Sequence, residues 1–330
     1  MKERILGNKN NGLKVSSIGL GCMGITYGHG PAMDTNDADA LIHKAVDLGI
    51  TLFDTAEFYD DNEKVIGKAL KPYRNRVNIV TKCGIRHGKN GEEVLDARPE
   101  IIRESAEQSL KRLGTDTIDL YYLHRVDPKV PIEEVAGAMQ KLIEQGKIRH
   151  WGLSEASVGI IRRAHAVCPL TAVESEYSMI WREPEKELFP VLDELKIGFM
   201  PFSPLAKGFL TGMINRNTTF AFSDARNNFP RFSKENIEAN QSVVDLIKNV
   251  AAAKDATPAQ ISLAWIFAQK PWIVPIPETR KQERLYENIG SANIELSTQE
   301  LSDLNAALAK IEIFGNRYAT DSVAAKSVEK

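Results

Sequence analysis

Four ionisable side chains follow segments that have the apolar composition of buried strands. Asp54 and Tyr59 follow one such segment, Lys82 the next, and His124 the one after that. A phenol has an ordinary pKa of about 10, and a nearby ammonium group lowers it. An aspartate keeps the lysine charged and oriented, and a histidine can bond to a substrate oxygen. These four residues (hereafter the tetrad) could form a general acid whose pKa is adjusted by its neighbours. Such an acid suits hydride addition to a carbonyl, because it can protonate the oxygen as negative charge forms there.

Each residue of the tetrad also has an ordinary structural explanation. Asp54 could cap a helix, Tyr59 could pack in a loop, Lys82 could be an exposed charge, and His124 could be a satisfied buried histidine. These explanations suffice for any single position. They account poorly for four such residues at successive strand ends, because the carboxyl ends of parallel strands meet at one edge of a sheet.

Short β-branched segments alternate along the chain with longer segments of helical period. The predicted strands are residues 17–21, 50–53, 77–80, 118–123, 149–153, 171–174, 197–202 and 272–276. Among the predicted helices, one has Asn36 as its N-cap, and another begins at Pro99 and ends at Gly114. The glycine-rich residues 19–24 lack the following helix of a dinucleotide-binding fingerprint. The pattern therefore favours a closed barrel of eight βα units over an open doubly wound sheet.

Length and composition narrow the classes of protein. A chain of 330 residues fits one barrel domain over residues 1–330. The net charge of −2 excludes the broad basic surface of a nucleic-acid-binding protein. The sequence has no apolar run of membrane-spanning length, no secretion signal and no metal-ligand spacing among its six histidines. Cys22, Cys83 and Cys168 are widely spaced, which predicts free thiols and a cytoplasmic location.

Two segments lack regular periodicity. Residues 203–233 contain many Asn, Phe and Gly residues, and a loop of this length predicts a lid over a ligand. The segment after Ile313 is also irregular. It either covers the same face of the molecule or frays.

Eight short motifs occur in the order typical of one enzyme family. They are LGCMG (20–24), DTAEFY (54–59), TK (81–82), LHR (123–125), GLSEAS (152–157), EYS (176–178), FSPL (202–205) and PIPETR (275–280). Over nearly its whole length the chain resembles the aldo-keto reductase superfamily. It is most similar to the branch of plant-type and microbial aldehyde and ketone reductases, and more distantly to the β subunits of voltage-gated potassium channels.

The resemblance implies an α/β fold, a (β/α)8 TIM barrel whose bottom is closed by an N-terminal hairpin between Arg4 and Val15. It implies reduction of a small-molecule carbonyl by NADPH, bound without a Rossmann domain. In this role Tyr59 donates the proton, Lys82 lowers its pKa, Asp54 pairs with Lys82, and His124 orients the carbonyl. The alternative implied by the channel subunits is an NADPH-binding redox sensor with little turnover. A hydrolytic barrel enzyme is disfavoured, since the sequence shows neither a metal cluster nor a carboxylate pair.

The family's cofactor contacts match positions of this chain. The resemblance assigns Ser154, Glu155 and Glu174 to the nicotinamide carboxamide, Phe202 to the nicotinamide ring, Ser203, Leu205 and Lys207 to the pyrophosphate loop, Thr279, Arg280 and Arg284 to the 2′-phosphate, and Glu287 and Asn288 to the adenine. Helix N–H groups and guanidinium groups both favour a phosphate. The alternative for the last two groups is a helix N-terminus with solvated charges.

The chain departs from the family pattern at several of these positions. Glu174 and Glu155 stand where many relatives have Gln and Asn. A carboxylate accepts a bond from a carboxamide NH2 but donates to its oxygen only when protonated, and two nearby carboxylates raise a pKa. The residue after Tyr59 is Asp60 rather than the glycine common there, and Phe202 replaces a common Tyr.

The substrate pocket is the part that the sequence defines least. Tyr27, Arg125, Met179 and Trp181 each follow a predicted strand, so we expect them to line the pocket. Ordinary packing at the barrel rim is the alternative for each of them. An aromatic and apolar lining would suit an aromatic or aliphatic aldehyde.

Overall fold

Strands and helices alternate along the chain in the computed structural model, which describes residues 1–10, 12–28, 30–88, 92–319 and 322. The strands are β1 (Glu3–Leu6), β2 (Leu13–Ser16), β3 (Leu20–Gly21), β4 (Leu52–Asp54), β5 (Asn78–Cys83), β6 (Ile85–His87), β7 (Glu93–Leu95), β8 (Ile118–Leu123), β9 (Ile148–Ser154), β10 (Ala172–Glu176) and β11 (Gly198–Phe202). The helices are α1 (Met23–Thr26), α2 (Thr35–Asp47), α3 (Asn62–Leu70), α4 (Pro99–Leu113), α5 (Ile132–Glu144), α6 (Val158–Val167), α7 (Leu188–Leu195), α8 (Lys234–Ala239), α9 (Gln241–Ala253), α10 (Pro258–Gln269), α11 (Gln282–Gly290) and α12 (Thr298–Leu308).

The central sheet has seven parallel strands in the order β11-β10-β9-β8-β5-β4-β3. An extended segment after α10 joins its two edges. Ile273 bridges to Phe199 of β11, and Glu278 bridges to Gly21 of β3. The Val274 N–H donates to the Phe199 carbonyl at 2.8 Å. The sheet therefore closes into a barrel, and the predicted (β/α)8 fold is confirmed.

Prolines explain why the predicted strand at residues 272–276 is a bridged segment rather than a regular strand. Pro275 and Pro277 have no N–H to donate, and their carbonyls accept from Gly19 and Gly21 at 2.9 and 3.2 Å. Pairing is thus interrupted on one side of the segment. The first predicted strand, residues 17–21, is likewise shorter in the structure, where only Leu20–Gly21 forms a ladder.

The N-terminal hairpin closes the bottom of the barrel, as predicted. β1 pairs antiparallel with β2, and Leu6, Leu13 and Val15 belong to the same buried apolar cluster as strand residues of the barrel interior. Gly198, the first residue of β11, permits this contact, because a Cβ there would lie 2.7 Å from the Leu6 Cα. The N-terminal ends of the strands are therefore sealed by apolar side chains.

The helices pack around the outside of the barrel over a second, larger apolar cluster. α4 begins at Pro99 and ends with Gly114 in the left-handed conformation at φ +63°, as predicted. For α2 the predicted cap is wrong by two residues. The N-cap is Asp34, whose side chain accepts from the N–H of Asn36, because a carboxylate is a strong acceptor for this helix end.

The structure also bears on the cysteines and on membrane-spanning segments. All three cysteines are free thiols with buried side chains. Within the described ranges, no helix combines the length and apolarity that a bilayer crossing requires.

Alternation along the strands brings polar groups to the top of the barrel. Side chains two residues apart on a strand point to the same side of the sheet. Leu52 and Val80 lie in the apolar cluster inside the barrel. Asp54 and Lys82 follow them by two residues, so they point into the barrel one layer higher. His124 follows Leu120 of β8 by four residues, also an even number, so ionisable groups stand at the carboxyl ends of neighbouring strands.

Candidate active site

A buried ion pair lies at the carboxyl ends of β4 and β5. The Lys82 ammonium donates to both carboxylate oxygens of Asp54, at 2.6 and 2.7 Å, and to the Thr55 carbonyl at 3.1 Å. Burial lowers the pKa of Lys82, but the charges of Asp54 and Glu174 outweigh burial and raise it well above its ordinary value. The lysine is therefore a fixed positive charge inside the barrel.

The Tyr59 hydroxyl lies 3.5 Å from Nε2 of His124. Lys82 Nζ is 5.6 Å from the centroid of the Tyr59 ring. The positive charge of Lys82 lowers the pKa of Tyr59, as expected, yet burial raises it more, and the net pKa lies above its ordinary value. Tyr59 is consequently a protonated phenol at neutral pH, and it has a proton to donate.

His124 is buried and neutral. Burial lowers the pKa of His124 well below its ordinary value, and the positive charges of Arg125 and Lys82 add to this effect. Its backbone N–H donates to the Cys83 carbonyl at 2.8 Å, which fixes the start of the loop after β8. Nδ1 of His124 is buried and has no hydrogen-bond partner among the described residues. The ring can therefore donate or accept a hydrogen bond at Nε2 without carrying a charge.

A buried hydrogen-bond network holds the loop that carries Tyr59. Asn62, fully buried at the start of α3, accepts from the Thr55 hydroxyl at 2.6 Å and donates to the Cys22 carbonyl and to the Thr26 hydroxyl. Thr26 in turn donates to the Tyr59 carbonyl at 2.9 Å. This positioning role of Asn62 was missed by sequence reasoning. Its only signal was an amide next to the DTAEFY motif.

The three residues assigned to the nicotinamide carboxamide (hereafter the carboxamide-site candidates) lie at the ends of β9 and β10. They are Ser154, Glu155 and Glu174. Ser154 accepts a hydrogen bond from Arg125 Nη1 at 3.0 Å, and the same group donates to the His124 carbonyl at 2.8 Å. Arg125, expected at the substrate pocket, thus links two strand ends. Glu155 has a left-handed backbone at φ +54°. Its Oε1 accepts from the Glu176 N–H at 2.7 Å.

The side chain of Glu174 contacts the tetrad and not the side chain of Glu155. Its Oε1 lies 3.4 Å from Lys82 Nζ, the ammonium group that also pairs with Asp54. Glu155 instead bonds to Glu176 and to Arg317. The expected interaction between the two departing carboxyl groups is therefore corrected. Glu174 points into the barrel like Lys82, and so does Asp54. The expected absence of a carboxylate pair is also corrected, because Asp54 and Glu174 both contact Lys82.

A second charged group, the Glu176 cluster, forms beside the carboxamide-site candidates. It consists of Glu176, Lys207, Arg231 and Arg317, whose cationic nitrogens lie 3.4, 3.7 and 3.0 Å from the Glu176 carboxylate. Burial raises the pKa of Glu176, but the three cations outweigh burial and lower it. Sequence reasoning missed Arg231 and Arg317. They lie in the two segments that lack periodicity, where the residue pattern indicates no partner.

The loop after β11 and the helix after the closing segment carry the remaining cofactor candidates. Phe202 packs on the apolar cluster inside the barrel. Ser203 and Lys207 have left-handed backbones, at φ +47° and +55°, and Leu205 lies between them. Short 3-10 turns follow at Ala206–Thr211, Ala225–Asn228 and Pro230–Phe232.

A turn precedes α11, where Thr279 Oγ1 accepts from the Lys281 N–H at 3.1 Å. Arg280 donates to the Pro31 carbonyl at 2.7 Å. On the helix, the Arg284 side chain is half-buried and has no hydrogen-bond or ion-pair partner in the described part of the chain. Glu287 is half-buried and Asn288 is buried on the same helix.

The residues expected to line the substrate pocket do not form one group in the structure. Tyr27 stacks on Tyr59, with ring centroids 5.8 Å apart. Trp181 lies against the guanidinium group of Arg317, at 4.7 Å from its ring centroid, and thus beside the Glu176 cluster. Met179 is buried in the large apolar cluster. Among the described residues, no group of three or more His, Cys, Asp or Glu side chains is arranged to hold a metal ion.

Comparison with known proteins gives a consistent result. The profile of the Aldo/keto reductase family matches residues 17–309. A probable aldo-keto reductase 1 of Glycine max is 42% identical over 312 residues, which cover 93% of this chain and 89% of that protein. A glycerol dehydrogenase of Gluconobacter oxydans superposes with a TM-score of 0.85 at 30% identity, covering 96% of this chain and 98% of that one. The holo form of an aldo-keto reductase of Bacillus halodurans gives a TM-score of 0.77 at 26% identity, covering 95% and 98%. This chain therefore belongs to the aldo/keto reductase family of oxidoreductases, which act on carbonyl groups with a nicotinamide cofactor.

Proposed function

We propose that this protein reduces an aldehyde or ketone to an alcohol with NADPH, and that Tyr59 supplies the proton. The observation that carries the proposal is the placement of the Tyr59 hydroxyl 3.5 Å from His124 Nε2, in a barrel mouth that also holds the buried Lys82–Asp54 pair. A general acid must lie within reach of the oxygen that it protonates. The phenol and the imidazole together offer two groups to a single carbonyl oxygen.

The residues present fit a nicotinamide cofactor. Oε2 of Glu174 is buried and no described hydrogen-bond donor reaches it. A carboxamide NH2 is a suitable donor for such an oxygen. The Ser154 hydroxyl and Glu155 lie at the adjoining strand end. When bound, the nicotinamide supplies the hydride.

The protein's own residues handle the charge that develops on the carbonyl oxygen. His124 donates a hydrogen bond from Nε2 to that oxygen, and it stays neutral because burial lowers its pKa. The Tyr59 proton moves to the oxygen as negative charge forms there, which completes the hydroxyl group. Lys82 stabilises the phenolate that remains, and Asp54 keeps Lys82 charged and in place. A proton from water restores the phenol.

Two features support narrower expectations about the ligands. Tyr27, Phe58 and Ile85 surround the Tyr59 ring with apolar surface, which supports an apolar or aromatic carbonyl substrate. Arg284 has a half-buried guanidinium on the first turn of α11, which supports NADPH over NADH. A free cation near a helix N-terminus is a favourable position for a phosphate.

The test follows NADPH oxidation by the purified protein against aromatic aldehydes, aliphatic aldehydes and ketones. We expect Tyr59→Phe to lower kcat by roughly 10³-fold, since general acid catalysis contributes about 10²–10⁴-fold, with NADPH affinity unchanged. Tyr73→Phe is the matched control, because Tyr73 packs against His43 outside the barrel mouth. Full activity of Tyr59→Phe would show that another group is the acid. NADPH binding without reduction of any carbonyl would favour the redox-sensor alternative.

A further inference from the structure

Glu174 occupies an unusual position for a carboxyl group. Its side chain is almost fully buried, with one oxygen 3.4 Å from Lys82 Nζ. The same ammonium group donates to both carboxylate oxygens of Asp54, at 2.6 and 2.7 Å. Two carboxyl groups therefore face one buried cation. Carboxyl groups that share a buried site do not both ionise readily, so one of the two is expected to hold a proton.

Charge balance leads to the same requirement. Lys82 is the only cation in direct contact with the two carboxyl groups among the described residues, so two ionised carboxylates would leave one uncompensated negative charge inside the barrel. Such a charge is costly in a buried site. Asp54 receives both short bonds from Lys82, at 2.6 and 2.7 Å. The proton therefore resides on Glu174, whose pKa is raised by burial and then by the charge of Asp54.

The other groups that face this carboxyl pair come from the neighbouring strands and loops. Arg125 acts on Glu174 as a positive charge from the loop after β8, and Tyr59 and Tyr122 are phenols whose pKa values the charge of Glu174 raises. Asp54 also faces Glu278 and the Cys22 thiol. Tyr122 is already engaged, since its hydroxyl donates to the Met200 sulfur at 3.2 Å.

We propose that Glu174 is a neutral carboxylic acid beside the Lys82–Asp54 pair, and that loss of its proton shifts the site from binding the reduced cofactor to binding the oxidised one. The proposal rests on the proposed function, because it concerns the nicotinamide site. In its neutral form Glu174 has one donor and one acceptor, and it thus replaces a glutamine amide without changing the charge of the site.

Ionisation of Glu174 has two consequences. The new negative charge favours the positively charged oxidised nicotinamide over the neutral reduced one. It also disfavours the Tyr59 phenolate, which must form while the carbonyl oxygen is protonated. Glu174 is therefore a positioning residue that makes the balance between reduction and oxidation depend on pH, with the change centred in the mildly alkaline range.

The test measures the dissociation constants of NADPH and NADP⁺ by fluorescence and calorimetry between pH 6.5 and pH 9.5. We expect the ratio Kd(NADP⁺)/Kd(NADPH) of the natural protein to fall on the order of tenfold across this range, as expected for one added charge near a partly buried ligand. In Glu174→Gln the ratio is expected to stay constant over the same pH range. Glu185→Gln is the matched control, since Glu185 pairs with Tyr177 and Arg182 away from the tetrad.

Infrared difference spectroscopy of the cofactor-free protein supplies an independent readout. We expect the natural protein to show at neutral pH a protonated-carboxyl band that exceeds the one of Glu174→Gln, in which Glu57 still contributes, and this excess is expected to disappear at alkaline pH. Equal pH dependence of the Kd ratio in the natural protein and in Glu174→Gln would overturn the proposal, and so would a natural-protein spectrum without this excess. A protein that shows the excess but binds neither nucleotide would instead refute the proposed function.

Discussion

Nη2 of Arg317 lies 2.5 Å from Oε2 of Glu155, a contact between the C-terminal segment and the end of β9. Both side chains are almost completely buried. Nε of Arg317 also lies 3.0 Å from the Glu176 carboxylate, so one guanidinium spans two neighbouring strand ends. The described part of this segment therefore covers the barrel mouth beside Glu155 and Glu176. Of the two possibilities for this segment, covering the face or fraying, the structure supports the first.

We expect Arg317→Ala to weaken both folding and cofactor binding. The change leaves Glu155 without its cation and removes one of three cations from Glu176. Breaking a buried ion pair costs about 3–5 kcal/mol. Because Lys207 and Arg231 still face Glu176, we expect the free energy of unfolding to fall by roughly 2–3 kcal/mol. Urea unfolding and NADPH titration measure the two effects. Arg162→Ala, which breaks an exposed pair with Glu194, is the control. An unfolding free energy equal to that of the control would contradict the role of Arg317.

Stability is expected to decline with pH because of Glu57. Burial raises the pKa of Glu57 to about 7, although the Ser105 hydroxyl, the Gly84 N–H and Arg112 oppose this shift. Between pH values of about 4.5 and 7 the folded protein holds a proton that the unfolded chain has lost. The free energy of unfolding therefore falls as the pH rises through this window, by up to about 2–3 kcal/mol. The contribution is complete below the lower pH and is lost above the upper one.

Glu57→Gln isolates this contribution. The amide cannot ionise, so the difference in unfolding free energy between the variant and the natural protein should grow from pH 5 to pH 8. Urea unfolding at both pH values measures it. A difference that is independent of pH would show that Glu57 is already ionised in the folded protein.

We expect carbonyl reduction to show no imidazole titration. Burial and the charges of Arg125 and Lys82 lower the pKa of His124 well below its ordinary value, so the ring stays neutral at and below neutral pH. A plot of kcat/KM against pH should therefore lack an inflection at about 6.5. His124→Gln should lower kcat/KM by roughly 10²-fold and leave the shape of the profile unchanged. An inflection near 6.5 that disappears in this variant would mean that the histidine titrates.

Cofactor selectivity is expected to depend on Arg284. We expect Arg284→Ala to raise the Kd for NADPH by roughly tenfold or more and to leave the Kd for NADH nearly unchanged, because a charge-assisted bond to a phosphate contributes about 1.5–3 kcal/mol. Fluorescence titration with both nucleotides measures the ratio. Arg103→Ala on α4, outside the cofactor candidates, is the control. An unchanged NADPH-to-NADH ratio would remove Arg284 from the phosphate site.

The loop after Tyr59 carries measurable strain. Asp60 has φ +50°, a left-handed conformation that glycine adopts more readily than other residues. Asp60→Gly should raise the free energy of unfolding by about 0.5–1 kcal/mol, because glycine adopts this conformation without a steric cost. Asp61→Gly is the matched control. The φ of Asp61 is −79°, so this change should not raise the free energy of unfolding. Thermal unfolding compares the two variants, and equal shifts would exclude backbone strain at Asp60.

The alternation of short apolar segments and periodic helices was sufficient to predict the barrel and most strand positions, whereas the hairpin was implied by the resemblance to the family. It was also sufficient for the tetrad, because Asp54, Lys82 and His124 lie at or just beyond strand ends, and parallel strands present their ends at one edge. The eighth strand was predicted at the right residues, but the structure has a bridged segment there rather than a regular strand. The prolines of this segment lack N–H donors, and the loss matters only because the segment lies between two strands of the barrel.

Tertiary structure decided which charges meet. The motifs place Glu155 and Glu174 near one another along the barrel rim, but the Glu174 side chain contacts Lys82, while Glu155 bonds to Arg317. No periodicity links the irregular tail to β9, because the contact spans 162 residues and depends on how the chain end folds back. Net pKa values are likewise a tertiary property. The sequence places a lysine near Tyr59, but the extent of burial determines that the phenol keeps its proton.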